Sequence, residues 1–172
     1  MNEPTDVATL VDLGRASPEE FDRWVRPHIP VMARVAARFG PLGDGDDIVQ
    51  EALVRAWQKR GQYDGDRGTP SAWLAAIAAD RARRSRRSGR PTEPLLEMRA
   101  RVRSTEDRLD LEHAVAGLPS RQRLAVDCFY FVGLSVAETA AVMRCAEGTV
   151  KSTLSDARAR LKSLLEVRDG RD

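Results

Sequence analysis

The 172-residue sequence predicts an all-α fold of two small helical domains joined by a flexible linker, the C-terminal one a helix-turn-helix. Three observations lead there. Aromatic residues make up only 5% of the chain, while Ala, Leu, Val and Arg abound, a balance that favours helix over sheet. Apolar residues recur at helical spacing, and no alternating run bounded by turn residues reads as a strand. The helical spacing lapses before Thr105, which divides the chain. Hydrophobic residues reach 42%, enough for a packed core.

The elements follow in order. Residues 1–17 read as an N-terminal tail, and Ser17-Pro18-Glu19-Glu20 reads as a helix start: Ser17 as N-cap, Pro18 at the first helical position and Glu20 closing a capping box. Pro27 and Pro30 interrupt that helix. It resumes with Val31, Val35 and Phe39 on one face and stops at Gly40-Pro41-Leu42-Gly43. Asp44 to Asp47 open the next helix, where acids suit the positive end of the dipole, and Ile48, Ala52, Leu53 and Ala56 form its apolar stripe. A polar loop covers Gly61 to Pro70. Ser71 is expected to cap a third helix through Trp73, Leu74, Ile77 and Ala78, which turns basic after Asp80. The first domain is expected over 18–90, the linker over 91–105, the second domain over 106–168 and a tail over 169–172. In the second, one helix starts near Thr105 and another after Pro119. Gly133-Leu134-Ser135 turns the chain, Val136 to Met143 form a short helix, and Arg144-Cys145-Ala146 make a tight turn before the last helix.

Charge is distributed unevenly. Net charge is only +2, but Asp44 to Glu51 hold four acids and no base, whereas Arg81 to Arg90 hold six arginines and no acid. A basic patch of this kind points to nucleic acid as a partner. Cys128 and Cys145 lack a CxxC arrangement or a paired His, so they are expected to be reduced and packed like small hydrophobes, with no zinc. The acids at 44, 46, 47 and 51 do not match an EF-hand loop. No catalytic constellation, metal or cofactor is expected, and His28 and His113 read as lone histidines. The N-terminus is acidic, with no basic start leading into an apolar run. No apolar run nears the roughly 18 residues a membrane helix needs. A cytoplasmic protein is expected.

On the last helix, Val150, Leu154, Ala157 and Leu161 recur at i, i+4, i+7 and i+11 and form a buried stripe. Thr149, Ser152, Thr153 and Asp156 are expected broadly opposite it, with Lys151, Ser155 and Arg158 on a flank. A helix entering a major groove needs short side chains near its start so that its backbone can approach base edges. Gly148, which costs up to about 1 kcal/mol of helix propensity, fits that need. An ordinary surface helix with a poor first turn is the alternative. Between Glu106 and Arg168 nine bases balance nine acids. Duplex affinity comes largely from phosphate neutralisation, so this unit alone should bind weakly and would gain from tethering to a second site. In the first unit, Gln50, Glu51, Arg55 and Trp57 read either as a docking surface or as a solvated face. Tyr63 to Arg87 interleave aromatics, glycines and arginines, a pattern suited to unpaired bases, although Tyr63 and Trp73 fit a core equally well.

DDIVQEALVRAW, YDGDRGTPSAWLAAIAADRARRSRR and LPSRQRLAVDCFYFVGLSVAETAAVMRCAEGTVKSTLSDARARL together resemble bacterial sigma factors, specifically the extracytoplasmic function (ECF) group of the sigma-70 family. The resemblance implies a subunit that docks on core RNA polymerase, recognises minus-35 and minus-10 promoter elements and promotes melting. Docking on the β′ coiled coil falls on Asp46, Asp47, Gln50, Glu51, Arg55 and Trp57. Minus-10 contact falls on Tyr63, Asp64, Arg67, Gly68, Trp73, Asp80, Arg81, Arg83 and Arg84. Minus-35 contact falls on Gly148, Thr149, Lys151, Ser152, Ser155 and Arg158. Hydrophobics near Phe129 and Phe131 would meet the β-flap, and an anti-sigma factor is a further implied partner. Asp80 stands where the family commonly has Asn, Ala146 where Ser usually caps the recognition helix, and Thr153 and Asp156 where basic residues are frequent. Two other readings stay open: a homodimeric helix-turn-helix regulator binding operators without polymerase, and a small nuclease using the acids at 44–51.

Overall fold

The computed structural model describes residues 12–88 and 106–169. The linker expected over 91–105 lies outside the described residues. Among those described there are eight α-helices and no strand. They are α1 (Pro18–Val25), α2 (Ile29–Phe39), α3 (Gly45–Lys59), α4 (Pro70–Ser88), α5 (Glu106–Ala116), α6 (Ser120–Val126), α7 (Val136–Met143) and α8 (Glu147–Asp169).

The helix starts are set by local hydrogen bonding. Ser17 Oγ accepts from the Glu20 amide at 3.3 Å, and the Glu20 carboxylate accepts from the Ser17 amide at 2.8 Å. That is the reciprocal cap expected of S-x-x-E. Ser135 and Glu138 repeat it at the start of α7, at 3.1 and 2.7 Å. A 3₁₀ turn, Arg26–His28, separates α1 from α2 beside Pro27. The expected cap of α4 is corrected. Thr69, not Ser71, accepts from the Ala72 amide at 3.2 Å, because Pro70 already stands at the first helical position. Ser71 Oγ instead lies 2.8 Å from His28 Nδ1.

One face of α4 carries Ala72, Ala75, Ala78, Ala79 and Ala82, all buried together with Leu74. Such short side chains let neighbouring helices approach closely. α4 therefore sits centrally, against α2 and α3 on one side and α7 on the other. Met32, Val35, Leu74, Ala75 and Ala78 share one core with Cys128, Val132, Leu134 and Val142. The two helical units meet across this core, an arrangement the sequence reading did not anticipate. A second core, built from Val115, Leu118, Val126, Met143, Val150, Leu154 and Ala157, belongs to the C-terminal unit.

Candidate nucleic-acid interface

Three surfaces carry the residues singled out by the sequence. The first is the outer side of α3. Ile48, Ala52 and Ala56 turn inward, which leaves Asp46, Asp47, Gln50, Glu51 and Val54 exposed. Val54 is 57% exposed, an apolar side chain offered to solvent among polar ones. Gln50, Glu51 and Val54, with Arg55, Gln58, Arg81 and Arg84, line an open groove of about 520 Å³, and Asp46 and Asp47 lie outside it. Arg81 reaches back to Glu51 at 3.8 Å and so joins α4 to this surface. Trp57 is only partly available, since its ring meets Phe21 edge-on at 5.3 Å and the Arg60 guanidinium covers it at 3.7 Å.

The second surface runs along the loop after α3 and the exposed side of α4. Tyr63 and Trp73 lie 5.5 Å apart and both contact Trp24, at 5.2 and 6.1 Å. Both rings are half-buried, so the core and surface readings each hold for part of each ring. Tyr63 Oη donates to the Gly68 carbonyl at 3.2 Å, and the Asp64 carboxylate accepts from the Asp66 amide at 3.0 Å, so the loop is held by its own side chains. Arg67 and Arg84 are exposed. Asp80 pairs with Arg83 at 3.3 Å and with Arg144 at 2.5 Å.

The third surface is the helix-turn-helix. Arg144 adopts a left-handed conformation (φ 53°) and closes α7 with its own amide bonded to carbonyls of the last turn. α8 begins three residues later, at Glu147. Val150, Leu154 and Ala157 are buried, while Gly148, Lys151, Ser152, Ser155 and Arg158 are exposed and Thr149 is half-exposed. A Cβ at Gly148 would meet no atom of the protein within 4 Å, so internal packing does not demand glycine there. Thr153 corrects the expectation that placed it opposite the stripe. It is only 9% exposed, and its hydroxyl donates to the Thr149 carbonyl at 2.7 Å. Three residues beyond Val150, it lies beside the buried stripe.

Sequence reasoning missed Arg34, Arg38 and Asp127. Arg38 Nε donates to Asp127 Oδ1 at 2.9 Å, and Arg34 Nε donates to the Val132 carbonyl at 2.9 Å. Burial pushes the Asp127 carboxyl above its usual range, against the pull of Arg38, Arg123 and Arg86. Burial, reinforced by the Asp127 charge, pushes the Cys128 thiol up to about 12, so it stays protonated at neutral pH. Both cysteines are free. Burial lowers His28, opposed by Glu138. Among the described residues no group of His, Cys, Asp or Glu could hold a metal ion, and no helix is long and apolar enough to cross a membrane.

Two family models match. Sigma-70 region 2 covers residues 24–92, and Sigma-70, region 4 covers 108–161. The chain is 36% identical over 153 residues to the ECF RNA polymerase sigma factor SigM of Mycobacterium tuberculosis, covering 84% of this chain and 76% of that protein. It is also 36% identical over 160 residues to the RNA polymerase sigma-E factor of Streptomyces avermitilis, covering 87% of each. Among solved structures, CnrH in complex with the cytosolic domain of CnrY matches with a TM-score of 0.63 and 28% identity, over 88% of this chain and 91% of that one. The sigma factor RpoE of Bartonella quintana, in complex with the anti-sigma factor NepR, matches with a TM-score of 0.56 and 27% identity, over 87% and 98%.

Proposed function

This chain belongs to the sigma-70 family and is an RNA polymerase sigma factor of the ECF type; from that premise we propose how its three surfaces divide the work. The exposed side of α3, with Asp46, Asp47, Gln50, Glu51, Arg55 and the free edge of Trp57, docks on the β′ coiled coil of core polymerase. Its groove supports this reading: polar and charged side chains surround an exposed Val54, as at a protein–protein contact. Tyr63, Asp64, Arg67, Gly68, Trp73, Asp80, Arg81, Arg83 and Arg84 hold the minus-10 strand. Aromatics accept unpaired bases by stacking, worth roughly 1–3 kcal/mol per base, while arginines neutralise the backbone. Capturing those bases favours melting without covalent chemistry, so the chain works by binding alone, needs no cofactor and acts in the cytoplasm with polymerase.

Gly148, Thr149, Lys151, Ser152, Ser155 and Arg158 meet the minus-35 element. The observation that carries this reading is the short-chained exposed side of α8 lying over a buried Val150–Leu154–Ala157 stripe. Hydrophobic side chains near Phe129 and Phe131 meet the β-flap; Tyr130 between them is 51% exposed, whereas Phe131 lies under the Arg38 guanidinium. An anti-sigma factor is proposed as a regulator, in line with the RpoE–NepR complex among the structural neighbours.

Run-off transcription from promoter-bearing templates tests the whole assignment. Defined transcripts are expected only when core polymerase and this chain are combined. A chain that binds the same promoters tightly without polymerase, and adds no transcript with it, would be an operator-binding regulator instead.

A further inference from the structure

The exposed side of α8 carries one acid beyond its first turn, Asp156, in the stretch described to Leu164. It follows Ser152 by one helical turn and Ser155 by one residue, and all three are exposed. It stands well clear of the buried Val150–Leu154–Ala157 stripe. Its neighbours on the outer side are short: Gly148, Ser152, Ser155 and Ala159. Several polar groups of this helix are already committed to its backbone. Ser152 Oγ donates to the Thr149 carbonyl at 3.1 Å, and Arg158 Nε donates to the Leu154 carbonyl at 3.3 Å. The Asp156 carboxylate, by contrast, has no hydrogen bond or ion pair to any described residue. An unpaired acid is costly on a helix that enters a groove walled by phosphates, because it approaches like charge.

A base edge that donates would offset that cost. In the major groove cytosine presents its N4 amine with no acceptor of its own, adenine sets its N6 amine beside the N7 acceptor, and guanine and thymine present acceptors. An ionised carboxylate only accepts. Cytosine therefore attracts it, adenine opposes it with a lone pair, and guanine and thymine repel it. The aspartate side chain is short, so it reaches a base only where the helix backbone comes close, and Gly148, Ser152 and Ser155 leave room for that approach. We propose that Asp156 is a specificity-determining residue for the upstream promoter element: its carboxylate accepts a hydrogen bond from N4 of one cytosine and excludes the other three bases at that position. The exclusion is as much a part of the selection as the bond, since a wrong base leaves the carboxylate unpaired. The inference rests on the minus-35 reading of α8 and deepens it.

The test is selection by the full chain loaded on core RNA polymerase. The DNA pool carries a duplex block randomised over about ten base pairs, one helical turn, followed by a randomised pre-melted bubble, and the bound fraction is sequenced. The wild-type protein should enrich a C·G pair at one position of the duplex block. Asp156→Ala should lower that enrichment at least about fivefold, the low end of what one good side-chain–base pairing is worth, and keep the preferences at the other positions. Asp156→Asn, whose amide both donates and accepts, should move the preference at the same position from cytosine to adenine. Asp156 is bonded to nothing in the fold, so neither variant should change the circular dichroism or the thermal midpoint, and a general loss of structure would not exchange one base for another at a single position. If all three proteins select the same base at every position, the inference is overturned and the minus-35 reading stands. A position that responds to Asp156 but holds another base with the wild-type protein overturns the assignment to cytosine. Polymerase-dependent binding with no preference in the duplex block by any of the three overturns the minus-35 reading itself.

Discussion

Ala146 shows how much a single oxygen can matter. It stands immediately before α8, where its carbonyl accepts from the amides of Thr149 and Val150 at 3.0 and 3.2 Å, but its methyl side chain caps nothing. Ser17 and Ser135 show what a hydroxyl does at the same kind of position in this chain. Ala146→Ser should therefore raise stability by about 0.5–2 kcal/mol in a denaturant titration, and an unchanged midpoint would mean that α8 does not start at Glu147. At this scale much was legible. Ser17, Pro18 and Glu20 announce their helix, because a cap is a contact between near neighbours in sequence. Ser71 misled for the same reason: Thr69 competes two residues earlier, and Pro70 decides between them by taking the first helical position. Thr153 misled because a polar residue read from sequence looks exposed, whereas its hydroxyl is satisfied within its own helix.

Among the elements, the junction of α2 with α3 turns on Gly40. Its backbone (φ −83°, ψ 169°) is open to any residue, so the requirement is steric. A Cβ there would lie 2.7 Å from the Ala36 carbonyl oxygen and would also run into Ile48 Cδ1. The carbonyl cannot move without breaking the end of α2. Gly40→Ala should cost about 1–3 kcal/mol in equilibrium unfolding, the range for overpacked sites, and a neutral result would mean that α2 and α3 do not approach so closely. The sequence marked Gly40-Pro41-Leu42-Gly43 as a stop, but not this crowding, which depends on a helix that begins later. The order of the helices and the turn at Gly133 to Ser135 were legible from periodicity and breakers. The central place of α4 was not. Its alanines read as helix formers, and only packing on both sides reveals them as contact surfaces.

For the whole molecule, the meeting of the two units was the part the sequence concealed. Arg34 and Arg38 look like ordinary solvated residues on α2, and their partners lie 98 and 89 positions away. No local pattern announces such a pair. The candidate surfaces could be singled out because they rest on motifs close together in sequence, and presenting them together is the part proposed for polymerase. The C-terminal unit, with nine bases against nine acids from Glu106 to Arg168, lacks the excess charge that would hold duplex DNA unaided. Its grip has to come from tethering to a second bound site. Fluorescence titration of the labelled full chain against purified core RNA polymerase tests that dependence most directly. Saturable binding with a Kd below about 1 µM is predicted, and a signal still flat at about 10 µM polymerase would contradict it.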